Sequence, residues 1–241
     1  PGVYTEETSL FPPSVASLAT AIPAFVGHTE KTGNQEEDDL INQPKRITSL
    51  LEFKALFGGS YTPDKYEVTL KDIDSLEIEK VEAQDGNGKN RNYYLYDSIR
   101  HYFDNGGGPC YVVSVGSYTD EIIPGDDTNG LIGGLKSLRQ EEEPTLLLIP
   151  DSVLLADETA TGTLHKDIVE QCADLQDRFG NLDVYNGNLS KSDSIDDFRD
   201  KIGTENLNYA AAYYPWLYTT YKKEVHFTQL EIKVKGKDKG I

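Results

Sequence analysis

Two apolar runs without a polar face, residues 110–115 and 145–151, constrain the fold of this 241-residue chain more than any other feature. A strand that is apolar on both sides must be covered on both sides, which is typical of a parallel sheet enclosed by helices. Apolar residues at helical spacing precede both runs: Leu95, Ile99, Tyr102 and Phe103 before the first, and Leu131, Ile132, Leu135 and Leu138 before the second. The alternation predicts an α/β fold, with a mostly parallel sheet and helices on both faces.

The same alternation continues on either side of these runs. It predicts a buried strand at residues 24–29 and a helix at 49–57, with Ser49 and Glu52 as a capping box. Two further helical stripes follow, and their members are Ile168, Cys172, Leu175 and Phe179, and then Ile195, Phe198 and Ile202. Each stripe precedes a predicted strand, at residues 181–185 and 209–214 respectively.

Between about residues 61 and 92 the alternation breaks, and the pattern predicts a small β-rich insertion. Its two strand-like segments are residues 66–70 and 76–81, and the turn residues Asp85-Gly86-Asn87-Gly88 predict a hairpin. We therefore expect one α/β body at residues 21–220 that contains the insertion. Residues 221–241 are expected to begin a C-terminal region that is cut short.

The first twenty residues are predicted to form an extended N-terminal arm rather than a helix. Their β-branched and aromatic residues favour a strand, and the two prolines lack amide donors. We predict a strand that contacts another subunit, formed by Val3, Tyr4, Thr5, Glu6 and Glu7, and a hinge formed by Phe11, Pro12, Pro13 and Ser14. An edge strand or a frayed terminus of its own domain is the alternative.

Composition argues against several classes of partner. The chain has 41 acidic and 23 basic residues and a formal net charge of −18, which repels phosphate backbones and anionic headgroups. We expect no nucleic-acid partner. No apolar run approaches the roughly 20 residues that cross a bilayer, so direct membrane insertion is not expected. Cys110 and Cys172 fall in predicted core elements and fit a reducing compartment.

No motif predicts catalysis, a cofactor or a metal. Gly106-Gly107-Gly108 lies where a helix leads into a strand, whereas phosphate-binding glycines lie where a strand leads into a helix. The acidic loops at residues 85–90 and 125–130 predict turns. The histidines are His28, His101, His165 and His226. Their spacing matches no metal-binding or nucleophile motif. We expect the chain not to be an enzyme.

An α/β enzyme or small-ligand-binding domain is the alternative. In an open α/β sheet, ligands bind beyond the carboxyl ends of the strands. Asp151 and Asp183 are predicted to lie there, so such a protein would place its pocket near these two carboxylates.

Six sequence blocks follow one another in order along the chain: PGVYTEE at residues 1–7, FPPSVA at 11–16, TAIPAFVG at 20–27, FDNGGGPCYVVSVG at 103–116, DRFGNLDV at 177–184 and AAYYPWL at 211–217. Taken together, they resemble tail sheath proteins of contractile phage tails and phage-tail-like injection systems. The blocks extend over nearly the whole chain. Their occurrence together, in this order, identifies the resemblance more specifically than any single block does.

The resemblance implies a structural subunit that stacks in six-membered rings around an inner tube and contracts to drive the tube through a target envelope. It implies other sheath subunits, the inner tube protein, and baseplate and cap proteins as partners, and strand donation by the N-terminal arm. It also implies assembly in the bacterial cytoplasm, as part of a phage tail or tail-like particle. The family's tube-facing domain and C-terminal arm lie outside this chain.

Overall fold

A computed structural model of the chain describes residues 21–33, 40–89, 91–189 and 193–235. The predicted N-terminal strand and hinge lie outside the described residues: Val3, Tyr4, Thr5, Glu6, Glu7, Phe11, Pro12, Pro13 and Ser14. The same is true of the end of the C-terminal region, residues 236–241.

The described residues form a large sheet, a small sheet and five α-helices. The strands are β1 (Pro23–Thr29), β2 (Lys45–Ile47), β3 (Lys65–Asp72), β4 (Glu77–Gln84), β5 (Cys110–Ser117), β6 (Leu146–Leu148), β7 (Phe179–Asp183), β8 (Ala210–Tyr213) and β9 (Leu230–Val234). The helices are α1 (Leu50–Phe57), α2 (Leu95–Asp104), α3 (Gly130–Ser137), α4 (Glu158–Leu175) and α5 (Asp193–Ile202). Short 3-10 turns complete the structure at Leu138–Gln140, Pro150–Leu154, Leu207–Tyr209 and Phe227–Gln229.

The large sheet has six strands in the order β2-β5-β1-β6-β7-β8. Every pairing in it is parallel except that of the short edge strand β2 with β5. Helices cover both faces of this sheet. The structure therefore confirms the predicted α/β class with a mostly parallel sheet.

Alternate residues of the central strands divide the core into two layers. Ala24 and Val26 of β1 face the layer formed with α3 and α4, which includes Leu135 and Leu164. Phe25 faces the opposite layer, formed with α1 and α2, where Phe53, Leu95 and Ile99 are fully buried. Burying a side chain of this size stabilises the fold by about 1.5–3 kcal/mol. The two layers explain why β1 is buried on both of its sides, and why the same is true of β5 up to Gly116.

Two predicted helix boundaries are confirmed, with one change at the start of α1. The Ser49 hydroxyl accepts a hydrogen bond from the Glu52 amide at 3.2 Å, as an N-cap should. The Glu52 carboxylate, however, accepts from the amide of Thr48 at 2.6 Å, one residue earlier than in the predicted capping box. At the end of α2, Gly106 adopts a φ of 84°, which confirms the helix stop assigned to the glycine run.

Two predicted elements are wrong in extent. The helical stripe ends at Leu175, because Gln176 turns the chain with a left-handed φ of 58°, and Phe179 instead begins β7. The strand predicted at 145–151 is limited to Leu146–Leu148 and runs into the 3-10 turn. Pro150 has no amide to donate to a neighbouring strand, which accounts for the early end.

The insertion forms a hairpin, β3 with β4, and β9 joins β3 in parallel to complete a small sheet of order β4-β3-β9. The hairpin turn lies at residues 73–76, between the end of β3 and the start of β4, and not at 85–88 as predicted. Residues 85–88 follow the end of β4 at Gln84. The later turn is closed by Asp85, whose carboxylate accepts from the amides of Asn87 at 2.9 Å and Lys89 at 2.8 Å. The participation of β9 was not predicted.

Candidate functional site

The carboxyl edge of the large sheet is the place where an α/β fold would bind a ligand. The chain leaves β1 toward α1 and α2 on one face of the sheet, and it leaves β6 toward α4 on the other face. A crevice is expected where neighbouring strands send their connections to opposite faces. Residues at the ends of β1 and β6 are therefore the first candidates for a functional site.

Asp151 occupies this position, but its carboxylate is committed to the protein backbone. The residue is fully buried. One carboxylate oxygen accepts from the amide of His28 at 2.8 Å and the other accepts from the amide of Tyr94 at 2.7 Å. The His28 Nδ1 atom lies 3.5 Å from the first of these oxygens. Asp151 thus joins the end of β1 to the segment that begins α2.

Gly27 provides the space that this arrangement needs. A Cβ atom at position 27 would lie 2.6 Å from the Asp151 carboxylate, closer than any normal contact. The carboxylate therefore lies directly against the backbone of β1. This tight packing leaves no room for a ligand at Asp151 itself.

Asp183, the second candidate carboxylate, lies at the end of β7 and is exposed. The surrounding protein raises the pKa of its carboxyl above the ordinary value by desolvation, and exposure to solvent screens that effect. Asp151 follows β6 and Asp183 ends the neighbouring strand β7, so both carboxylates lie at the same edge of the sheet. No hydrogen bond joins the two side chains, so the described residues do not bring them together as one site.

An open cleft of about 330 Å³ lies beside this edge, and its lining residues are Lys89, Arg91, Asn92, Tyr93, Glu121, Ile122, Leu154 and Ala156. Its cations already have protein partners. Arg91 contacts the Asp85 carboxylate at 2.8 Å and donates to the carbonyl of Asp120 at 2.5 Å. Lys89 is paired with Glu121. The cleft therefore presents no uncompensated charge to an anionic ligand.

Three tyrosines pack together next to this cleft, and sequence analysis missed them. The rings of Tyr61, Tyr93 and Tyr118 lie within 5.5 Å of one another, centroid to centroid. The Tyr93 hydroxyl lies 2.8 Å from the carbonyls of both Tyr118 and Asp120, whereas the buried Tyr61 hydroxyl has no partner among the described residues. Burial raises the pKa of Tyr61 to about 12. The three positions share no spacing that could have predicted the cluster.

The remaining candidates for chemistry do not assemble into a site. Among the described residues, no group of three or more histidine, cysteine or acidic side chains could hold a metal ion. Cys110 and Cys172 are free and buried, and burial raises the pKa of both thiols to about 12. His28 and His165 are buried, while His101 and His226 are exposed. In the described parts of the chain, no helix combines the length and apolar character that a membrane span requires.

Exposed apolar surface is concentrated on the small sheet. One face carries an apolar residue at each of nine paired positions: Tyr66, Val68, Leu70, Ile78, Val81, Ala83, Leu230, Ile232 and Val234. On the outer strands this face is open, with Ile78 58% and Ile232 46% exposed. The reverse face carries ion pairs, such as Lys233 with Glu67 at 2.7 Å. We call the first face the apolar sheet face.

A second exposed apolar surface follows β8. Leu217 is 83% exposed, Tyr218 is 96% exposed and Phe227 is 84% exposed. Leu217 and Tyr218 lie on a segment without regular structure that follows β8, and Phe227 begins the 3-10 turn before β9. Their exposure makes this segment a candidate for association with another protein rather than for catalysis.

No family model matches this chain. No curated protein matches it either. Among solved structures, the chain is similar to a chain of the anti-feeding prophage (AFP) baseplate in a 6-fold symmetrised cryo-EM structure, with 24% sequence identity and a TM-score of 0.48. The similarity covers 89% of this chain and 46% of that one, so the chain spans less than half the length of the protein it matches.

Proposed function

We propose that this chain is a structural component of a contractile phage tail or phage-tail-like injection system, and specifically a subunit of its contractile sheath. In this role it polymerises with copies of itself in stacked rings around an inner tube, six subunits to a ring, and it contacts baseplate and cap proteins at the ends. Assembly takes place in the bacterial cytoplasm. Contraction then drives the tube through a target envelope.

The ordered conjunction of sequence blocks is the observation that carries this proposal. The blocks that fall in described residues form structurally central parts of the large sheet. Residues 103–116 include the end of α2 and nearly all of β5, residues 177–184 contain β7, and residues 211–217 contain most of β8. The resemblance therefore follows the strands that build the body, and it includes the terminal arm at residues 1–7. The proposal rests on these blocks and not on the similarity to the baseplate chain.

The geometry at the carboxyl edge favours a structural role over the alternative of an enzyme or ligand-binding domain. Asp151 is buried and its carboxylate accepts hydrogen bonds from two backbone amides, and in the described part of the chain no hydrogen bond joins it to Asp183. The exposed apolar sheet face and the exposed residues after β8 suit a protein that is covered by neighbours. A thermal-shift screen with nucleotides and divalent metals separates the two roles, because a ligand of the folded state would raise the unfolding temperature.

Strand donation by the N-terminal arm is part of the proposal. Each main-chain hydrogen bond contributes about 0.5–1.5 kcal/mol, while ordering one residue costs roughly 1–2 kcal/mol of backbone entropy. A single arm of about ten residues is therefore marginal, and many arms in one polymer act together. The hinge at Phe11-Pro12-Pro13-Ser14 would let subunit bodies move during contraction while their arms stay bound.

Deletion of residues 1–10 tests this function. We expect the deletion variant to remain folded by circular dichroism and to form no striated tubes under negative-stain microscopy, whereas the unaltered protein forms them. The control variant E6Q/E7Q keeps every main-chain donor and acceptor of the arm and is expected to assemble. Normal tubes from the deletion variant would refute strand donation, and the absence of tubes from the unaltered protein would contradict the sheath role.

A further inference from the structure

His165 is a buried histidine whose ring has no hydrogen-bond partner. The residue lies on α4 and is 1% exposed. Neither ring nitrogen has a partner among the described residues. A neutral imidazole carries one donor and one acceptor, and burying them unpaired is unfavourable. Burial therefore favours the neutral ring, and no hydrogen-bond acceptor in the described parts of the chain stabilises a protonated one.

Helix α5 covers this histidine. The ring of Phe198 lies 5.7 Å from the His165 ring, centroid to centroid. Phe198 and Ile202 both belong to the core layer of α3 and α4. One turn earlier on α4, a Cβ atom at Gly162 would lie 2.5 Å from the Lys201 Cβ, so the two helices are in close contact. The outward face of α5 carries Asp196, Arg199 and Asp200, all exposed.

Among the described residues, no charged group shifts the pKa of the His165 ring. The elements packed against α4 carry several charged or titratable groups, which include Lys136 of α3, Asp151 of the 3-10 turn after β6, Asp183 of β7, Asp197 and Lys201 of α5, and Tyr209 before β8. None of them contributes to the pKa of His165, which burial alone lowers from 6.5 to about 4. The imidazole is therefore neutral in the closed structure at neutral pH.

We propose that His165 is an acid-sensitive latch, whose protonation releases helix α5 from α4. An imidazolium in this position would be a buried charge without a counter-charge or an acceptor. Separation of α5 exposes the ring to water, which solvates both N–H groups. The contacts between α5 and α4 include Phe198 beside the ring and the close approach at Gly162, so we expect α5 to be the element that separates. This inference is independent of the sheath role.

The coupling between protonation of His165 and the opening of α5 determines the direction and size of the pH effect. The folded-state pKa of His165 is lower than that of an exposed histidine, so the contribution to stability is complete above pH 6.5 and is lost as the pH falls toward 4. Taking these two values for the open and closed states, the equilibrium constant for opening α5 rises about 30-fold between pH 8 and pH 5.

Hydrogen–deuterium exchange of the whole protein tests the latch. Exchange is followed at pH 8 and pH 5 for amides of α5, corrected for the intrinsic pH dependence of exchange, with α1 as an internal reference that contains no histidine. We expect protection of α5 to fall about 30-fold at pH 5 while that of α1 changes little. In His165→Phe, where an aromatic ring remains but cannot be protonated, the acid-specific loss should disappear. The matched control, His226→Phe, replaces an exposed histidine and should behave as the unaltered protein.

The unaltered protein supplies a second measurement if His165→Phe does not fold. NMR titration of the histidine ring protons should assign to His165 a pKa below 5, and the loss of α5 protection should follow the same titration. A His165 ring that titrates near 6.5 in the folded protein, or α5 protection that is unchanged at pH 5, would overturn the proposal.

Discussion

At the scale of single residues, Asp151 joins parts of the chain that are distant in sequence. Its two carboxylate oxygens hold the amides of His28 and Tyr94, which are 123 and 57 residues away. A buried carboxylate that accepts hydrogen bonds from backbone amides is held without a cationic partner. We therefore assign Asp151 to the stability of the sheet edge.

The substitution Asp151→Asn should destabilise the fold by about 2–3 kcal/mol, because the amide NH₂ group must face one of the two backbone donors. Urea unfolding followed by fluorescence would measure this loss. Asp183→Asn is the matched control at the same sheet edge, and we expect it to change stability by about 0.5 kcal/mol or less, since Asp183 is exposed. Equal effects of the two substitutions would contradict the role assigned to Asp151.

Tyr61 differs from Asp151, because its buried hydroxyl has no hydrogen-bond partner among the described residues. Tyr61→Phe should raise the free energy of unfolding by up to about 1 kcal/mol, because it removes an unpaired polar group. Tyr93→Phe, which removes a hydroxyl within hydrogen-bond distance of two carbonyls, should lower it by about 1 kcal/mol. Thermal or chemical denaturation would show whether the free energy of unfolding rises in Tyr61→Phe and falls in Tyr93→Phe.

The same hydroxyl predicts a loss of stability at alkaline pH. The folded-state pKa of Tyr61, about 12, is higher than the ordinary value of 10. Its contribution is therefore complete below pH 10 and declines as the pH rises toward 12. Unfolding measured across this range should show a smaller decline in Tyr61→Phe than in the unaltered protein, and identical declines would contradict the assignment.

At the scale of elements, α3 depends on a glycine that lets it approach the sheet. A Cβ atom at Gly134 would lie 2.4 Å from a methyl carbon of Val115 and 2.6 Å from one of Val26. The helix therefore packs closely over β1 and β5. A larger residue at this position would push α3 away from both strands.

We expect Gly134→Ala to destabilise the protein by up to about 2 kcal/mol. Alanine favours a helix by roughly 1 kcal/mol over glycine, but overpacking of a dense core costs about 1–3 kcal/mol. The double variant with Val26→Ala should recover part of the packing loss, which a double-mutant cycle in urea would detect. Strict additivity of the two substitutions would show that the contact does not limit the packing of α3.

The elements also show which structural features the sequence could predict. Strands β1 and β5 were predictable because their apolar residues fall on both sides of the strand, a pattern that is typical of strands covered by helices on both faces. Phe179 was assigned to a helix because it continues the spacing of Ile168 and Cys172, and periodicity alone did not reveal the left-handed turn at Gln176. The pairing of β9 with β3 joins residues about 160 apart, and no local pattern predicts such a partner.

At the scale of the whole molecule, the candidate site was predictable only in part. The position of Asp151 after a buried strand follows from the chain order, but its occupation by backbone amides depends on how Gly27 and the start of α2 meet. The apolar sheet face likewise appears only when three strands are in register. Features that arise between distant segments require the tertiary structure, whereas the α/β class required only the local alternation.

The net charge of −18 leads to a last prediction, which rests on the proposed sheath role. Copies that stack closely repel one another through their summed charge, and salt screens this repulsion over a Debye length of about 8 Å at physiological ionic strength. Raising the ionic strength from 50 to 300 mM NaCl should therefore lower the concentration at which tubes form, as measured by light scattering and sedimentation. A neutral crowding agent is the control. If tubes formed through apolar surface alone, the crowding agent and the salt would lower the concentration at which tubes form to a similar extent. Tube formation that is insensitive to salt would exclude a role for the acidic surface in limiting assembly.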